Sequence, residues 1–112
     1  RVCTIERYRS LLAQAETCFE ALKLHNITTR LSDGAKGWPE LAPFPRIIVT
    51  AAAPSMPSVL ADQLDEGGIM VVPVGAPGEQ TLLRLTRDSA GFHEEVLLSV
   101  RFVPLVEGMP TR

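Results

Sequence analysis

"RIIVTAAAP", residues 46–54, holds an unbroken apolar run, Ile47, Ile48 and Val49, that stops at Thr50, crosses three alanines and ends in Pro54. No polar residue alternates within it. The run therefore reads as a strand over 47–52 buried on both faces, as in a parallel sheet covered by helices. The alanines leave unusual space at the strand's end, which either tight packing under a helix or a ligand could explain.

The flanks extend the same pattern. Downstream, Pro57 suits the first position of a helix whose apolar positions are Met56, Val59, Leu60 and Leu64. Gly67-Gly68 is read as its end, followed by a second buried strand over 69–74 and a break at Gly75-Ala76-Pro77-Gly78. Upstream, 2–5 is strand-like. Tyr8, Leu11, Leu12, Ala15, Phe19 and Leu22 then recur at the spacing of one helical face. His25-Asn26 is expected to end that helix, Asn tolerating the left-handed cap conformation. Residues 27–31 alternate like a strand near a sheet edge, Ser32-Asp33-Gly34 is a turn, and 35–45 read as a loop in which Trp38 anchors on the sheet.

From Glu79 the character changes. Leu83 and Leu85 alternate with Arg84 and Thr86, Asp88-Ser89-Ala90-Gly91 turns, and 96–103 returns as a strand. So short a connection forces an antiparallel hairpin. Strand–helix–strand units come first and an antiparallel pair finishes the sheet: an α/β open sheet.

Composition narrows the function classes. The 112 residues fit one domain, with 46% hydrophobic and 21% charged residues, an ordinary globular balance. A net charge of −2 gives no electrostatic reason for nucleic acid or an anionic membrane as partner. No apolar run approaches the roughly 18 residues a membrane span needs, and no signal peptide is visible. Cys3 and Cys18 are the only cysteines, expected as buried reduced thiols, which fits a cytoplasmic protein. With only His25 and His93 as further soft ligands, no metal site is expected. The chain opens at Arg1 almost inside a strand, as though it were a piece of a longer domain.

In open α/β sheets ligands bind at the carboxyl ends of the strands. Glu6 follows the first strand there, and a carboxylate so placed can accept from both hydroxyls of a ribose. Asp33-Gly34 follows the second and offers a carboxylate and close backbone approach to a heterocycle's edge. Thr50-Ala51-Ala52 closes the third. Each has a bland counterpart: a solvated acid, a common turn pair, and tight packing under a helix. Neither histidine has an acid placed by sequence to make it a base, and no phosphate loop or nucleophile elbow is present.

Taken in order and spacing, "TIER" (4–7), "SDGAKGWPELAPFPRIIVTAAAPSMP" (32–57), "LDEGGIMVVPVG" (64–75) and "VRFVPLVEG" (100–108) closely resemble the protein-L-isoaspartate O-methyltransferase family. The Asp-Gly-x-x-Gly-Trp block followed by Ile-Ile-Val-Thr-Ala-Ala-x-Pro carries most of the specificity. The resemblance implies a Rossmann-like S-adenosylmethionine-dependent methyltransferase sheet, with residues 1–112 as the carboxyl-terminal part of a single domain. S-adenosylmethionine is the implied cofactor and isoaspartyl-containing peptides and proteins the implied substrates. Glu6 then holds the ribose hydroxyls, and Asp33 and Gly34 lie beside the adenine. Thr50 to Ala53 match the strand end lining the cleft where methyl donor and peptide meet, with Thr50 on the cofactor and Ala51 and Ala52 on the substrate. Val103, Pro104 and Leu105 run along the bound peptide, and Val106 lies close to the cofactor.

Two departures stand out. Phe44 is followed by Pro45 where the family usually has Asp, so a carboxylate near the cleft is lost. The glycine-rich cofactor loop and an earlier serine-bearing segment are also absent. The family's first sheet strand is missing with them, a central strand expected between the strands at 2–6 and 46–52. The chain is therefore expected to be inactive alone, with unpaired edges that pair with each other, pair with another copy, or aggregate. For the intact enzyme the resemblance implies attack of the substrate's free α-carboxylate on the sulfonium methyl, which needs no general base. The alternative is a non-catalytic Rossmann-like remnant that binds a nucleoside or a partner chain.

Overall fold

The structure, a computed structural model, describes residues 1–110. It divides into two compact units, one of Arg1–Ala35 with the chain from Glu107, the other of Lys36–Val106.

The first unit is a β–α–β element. Strand β1 (Val2–Glu6) and strand β2 (Ile27–Leu31) pair in parallel, from Val2 against Ile27 to Glu6 against Leu31. Helix α1 (Arg9–Ala21) connects them and buries Leu12. It ends earlier than the sequence suggests. Lys23 takes the left-handed conformation (φ 58), with Lys23 N–H donating to Glu20 O and Leu24 N–H to Phe19 O. Those two bonds form a Schellman ending, normally a glycine's position. Cys3 is half-buried, whereas Cys18 is exposed rather than buried, because it lies on the helix flank that β1 and β2 leave open.

The second unit holds a four-stranded sheet in the order β3-β4-β5-β6. Strand β3 (Phe44–Ile48) runs parallel to β4 (Leu64–Ala76), while β5 (Glu79–Asp88) and β6 (Gly91–Val100) follow antiparallel. The α/β class and the closing hairpin agree with expectation. Met70, Val72 and Leu85 project to one face and meet Leu60 and Ala61 of α2 (Ser58–Ala61), together with Val49 and Leu64. Met70 and Val72 have no exposed surface. Each such side chain contributes about 1.5–3 kcal/mol by leaving water.

Three expectations need correction. The run at 47–52 is not a strand buried on both faces: β3 ends at Ile48, whose side chain is 76% exposed. The unit's helix covers only the Met70–Val72 face of the sheet. The helix expected from Pro57 to Leu64 is a single turn, with Leu64, Gly67 and Gly68 in β4. There the pairing slips, Phe44 facing Leu64 and Arg46 facing Ile69, so the intervening residues bulge out. Pro45, which cannot donate to a ladder, sits within that slip. Finally, β6 spans Gly91–Val100, not 96–103, because the Asp88–Gly91 turn is tight enough to start pairing at once.

Among the described residues no strand pairs with the second edge of β1 or of β3. No helix is long and apolar enough to cross a membrane.

Candidate functional site

In the first unit the two acids emerge from neighbouring parallel strands at their carboxyl ends. Glu6 is the last residue of β1, and its carbonyl accepts from Ser32 N–H (3.0 Å), so Asp33 follows one residue beyond that bond. Glu6 Oε2 accepts from the backbone N–H groups of Arg7 (2.8 Å) and Tyr8 (3.1 Å). The carboxylate is thereby oriented, and Oε1 accepts nothing from the described residues. Asp33 is more enclosed, at 5% exposure. Its Oδ1 accepts from Ala35 N–H (2.9 Å) and its Oδ2 from Gly108 N–H (2.9 Å). Next to it, a Cβ built on Gly34 would meet nothing within 4 Å, and φ there is not left-handed. The fold itself does not require glycine at that position.

In the second unit the alanines find their use. Ala52 N–H donates to Val103 O (2.7 Å) and Ala52 O accepts from Leu105 N–H (2.8 Å), a parallel bridge to Pro104. Ala53 N–H donates to Pro73 O (3.0 Å), and its carbonyl accepts from Gly75 N–H (2.9 Å). Both alanines are buried. Two backbones therefore flank this stretch through β-bridge hydrogen bonds, while the alanine side chains project off that plane. The alanines are not packed under a helix: the elements bonded to them are the 103–105 segment and β4. A recess of about 220 Å³ remains, lined by Ala52, Gly75, Gln80, Pro104 and Leu105 among others. Ala51 is half-buried, Leu105 packs on the core, and Thr50, Val103, Pro104 and Val106 are exposed. Of the residues singled out here, Ala52 is brought together with Val103, Pro104 and Leu105, while the Thr50 side chain makes no hydrogen bond among the described residues.

Two glutamines escaped the sequence reading. Gln80 is buried; its Oε1 accepts from Phe102 N–H (2.6 Å) and its Nε2 donates to Ala76 O (2.9 Å), holding the approach to 103–105 in place. Gln63 is also buried, accepting from Trp38 N–H (2.9 Å) and donating to Lys36 O (2.9 Å). Neither is marked by its neighbours: Gln63 lies between Asp62 and Leu64, and Gln80 between Glu79 and Thr81, so the sequence around them carries no signal of burial. His93 bonds Asp88 across the β5–β6 turn (2.9 Å), both well exposed, a turn device rather than a catalytic pair.

Comparison with known proteins gives a consistent picture. The sequence profile described as protein-L-isoaspartate(D-aspartate) O-methyltransferase matches residues 1–110. A protein-L-isoaspartate O-methyltransferase of Parvibaculum lavamentivorans is 62% identical over 97% of this chain and 50% of its own length. That of Paramagnetospirillum magneticum is 54% identical over 98% of this chain and 52% of its own. The chain thus spans about half the length of these curated relatives. A Plasmodium falciparum crystal structure assigned to the same enzyme, in complex with S-adenosyl-L-homocysteine, superposes with a TM-score of 0.83 at 26% identity, over 96% of this chain and 53% of that one. By profile, by curated relatives and by fold, the chain belongs to the protein-L-isoaspartate O-methyltransferase family.

Proposed function

We propose that residues 1–112 are the carboxyl-terminal part of a single cytoplasmic methyltransferase domain acting on the free α-carboxylate of L-isoaspartyl residues in damaged proteins, with S-adenosylmethionine as cofactor. The observation that carries this reading is the placement of Glu6 and Asp33 at the carboxyl ends of adjacent parallel strands. That is where an α/β sheet holds a nucleoside. Glu6, oriented through Oε2, offers Oε1 to a ribose hydroxyl. Gly34 is open above its backbone and needed by no turn, which suits close approach of a flat ring; Asp33 supplies the carboxylate beside it. In the second unit, Thr50 and Val106 are assigned to the cofactor. Ala51, Ala52, Val103, Pro104 and Leu105 are assigned to the substrate peptide.

When bound, S-adenosylmethionine supplies an electrophilic methyl to a carboxylate already ionised at neutral pH. No residue of this chain need act as a base. Its side chains bind, orient and exclude water, which is the larger part of such a rate enhancement. The open edges of β1 and β3 need a partner, and in this chain alone we expect self-association to provide it.

Calorimetry with S-adenosylhomocysteine tests the reading. At micromolar protein this chain should give no saturable heat, whereas a longer protein with an added upstream half should bind, and lose binding on Glu6→Ala. Failure of the longer protein to bind favours the non-catalytic remnant instead.

A further inference from the structure

We propose that the chain's own tail gates the nucleoside position, an inference resting on the assignment of Asp33 to an adenine. Asp33 is held by a residue 75 positions away: the Gly108 N–H donates to Asp33 Oδ2 at 2.9 Å. The carbonyl of the same glycine accepts from Arg7 Nε, also at 2.9 Å. One residue of the tail thus bridges Asp33 and the residue next to Glu6. Arg7 is itself fixed, with Nη1 donating to Tyr8 Oη (2.8 Å) and its guanidinium 4.9 Å from the Tyr8 ring centroid.

The chemistry of this contact is that of the proposed ligand. An exocyclic amino group is an N–H donor, and the Gly108 N–H stands where such a donor would bond. Asp33 is nearly closed to solvent with the tail in place. Gly108 adopts φ +78, a conformation that glycine takes at little cost and other residues do not. The strap therefore has a well-defined closed form, held by two hydrogen bonds, that a nucleoside must displace to reach Asp33.

Chemical-shift titration of the chain with adenosine at millimolar concentration tests this. Gly108→Pro removes the N–H and forbids the positive φ; Arg7→Met removes the guanidinium donor while keeping the stem. Each should tighten adenosine roughly five- to tenfold, the equivalent of about one net hydrogen bond no longer broken on binding. In the unsubstituted chain, saturation with adenosine should speed hydrogen exchange at the Gly108 amide. Equal or weaker binding by both variants, or added protection at Gly108, overturns the strap while leaving the nucleoside assignment standing. If adenosine binds no form of the chain, the strap is overturned, because removing it then frees no site; the nucleoside assignment itself stands or falls with the longer protein. Unchanged amide positions across β1, α1 and β2 in both variants establish that the unit remains folded.

Discussion

Met70 and Val72 lie side by side in the core with no exposed surface, and truncating either should be costly. Met70→Ala is expected to destabilise the chain by about 2–5 kcal/mol through lost transfer energy and the cavity left behind, read from urea unfolding. Lys23 carries strain of a different kind, a left-handed φ of 58 at a helix ending that favours glycine. Lys23→Gly should stabilise the chain by up to about 1 kcal/mol, the relief of that strain being partly offset by glycine's greater unfolded-state entropy. A loss of stability in the same assay would contradict that assignment of the cap. At this scale the sequence was informative wherever local position decided the outcome: Glu6 ends a strand, and strand ends are legible. It was uninformative where the partner is remote. Nothing near Asp33 announces Gly108, and nothing near Phe102 announces Gln80.

The elements show a similar division. Strands 2–6 and 27–31, helix α1 except for its early end, and the final hairpin except for the bounds of β6 follow from period and turn chemistry. Helix α2 does not. Its apolar spacing suits eight residues, but pairing of Leu64 with Phe44 draws the chain into β4 after one turn. The β5–β6 turn makes its own prediction. Backbone donation from Ala90 and the His93 side chain hold the Asp88 carboxyl below its ordinary value of 3.8. A folded-state value below the unfolded one contributes stability that is full above 3.8 and is lost as pH falls through the lower folded value. Asp88→Asn should remove that acid-side dependence from the hairpin's amide shifts; an unaltered profile would show that other carboxylates govern it. Strand β3 is exposed in another way, with an open edge and Ile48 at 76% exposure. Ile48→Lys should shift sedimentation toward monomer without changing the circular dichroism spectrum.

For the molecule as a whole, the two units differ in how much they can support. The first has two strands and one helix around Leu12, whereas the second has four strands around seven buried side chains. Small sheets with little core are marginal in water. Amides of β4 and β5 should therefore be the slowest to exchange, and those of β1 and β2 should open at lower free energy. The α/β class was legible in the sequence because periodicity reports element type. Burial was less so: the 47–49 run looks doubly buried, yet Ile48 faces solvent in this chain. Such a run records the covering that its pattern suits, and one face of β3 lacks it among the described residues. The family resemblance, carried by four stretches spread over residues 4–108, supplied what no single residue could. The decisive measurement is transfer of labelled methyl from S-adenosylmethionine to an isoaspartyl peptide, run with this chain alone and with a longer protein carrying the upstream half. Incorporation by the longer protein only, abolished by Glu6→Ala, is the predicted result. Turnover by the 112-residue chain on its own would contradict it.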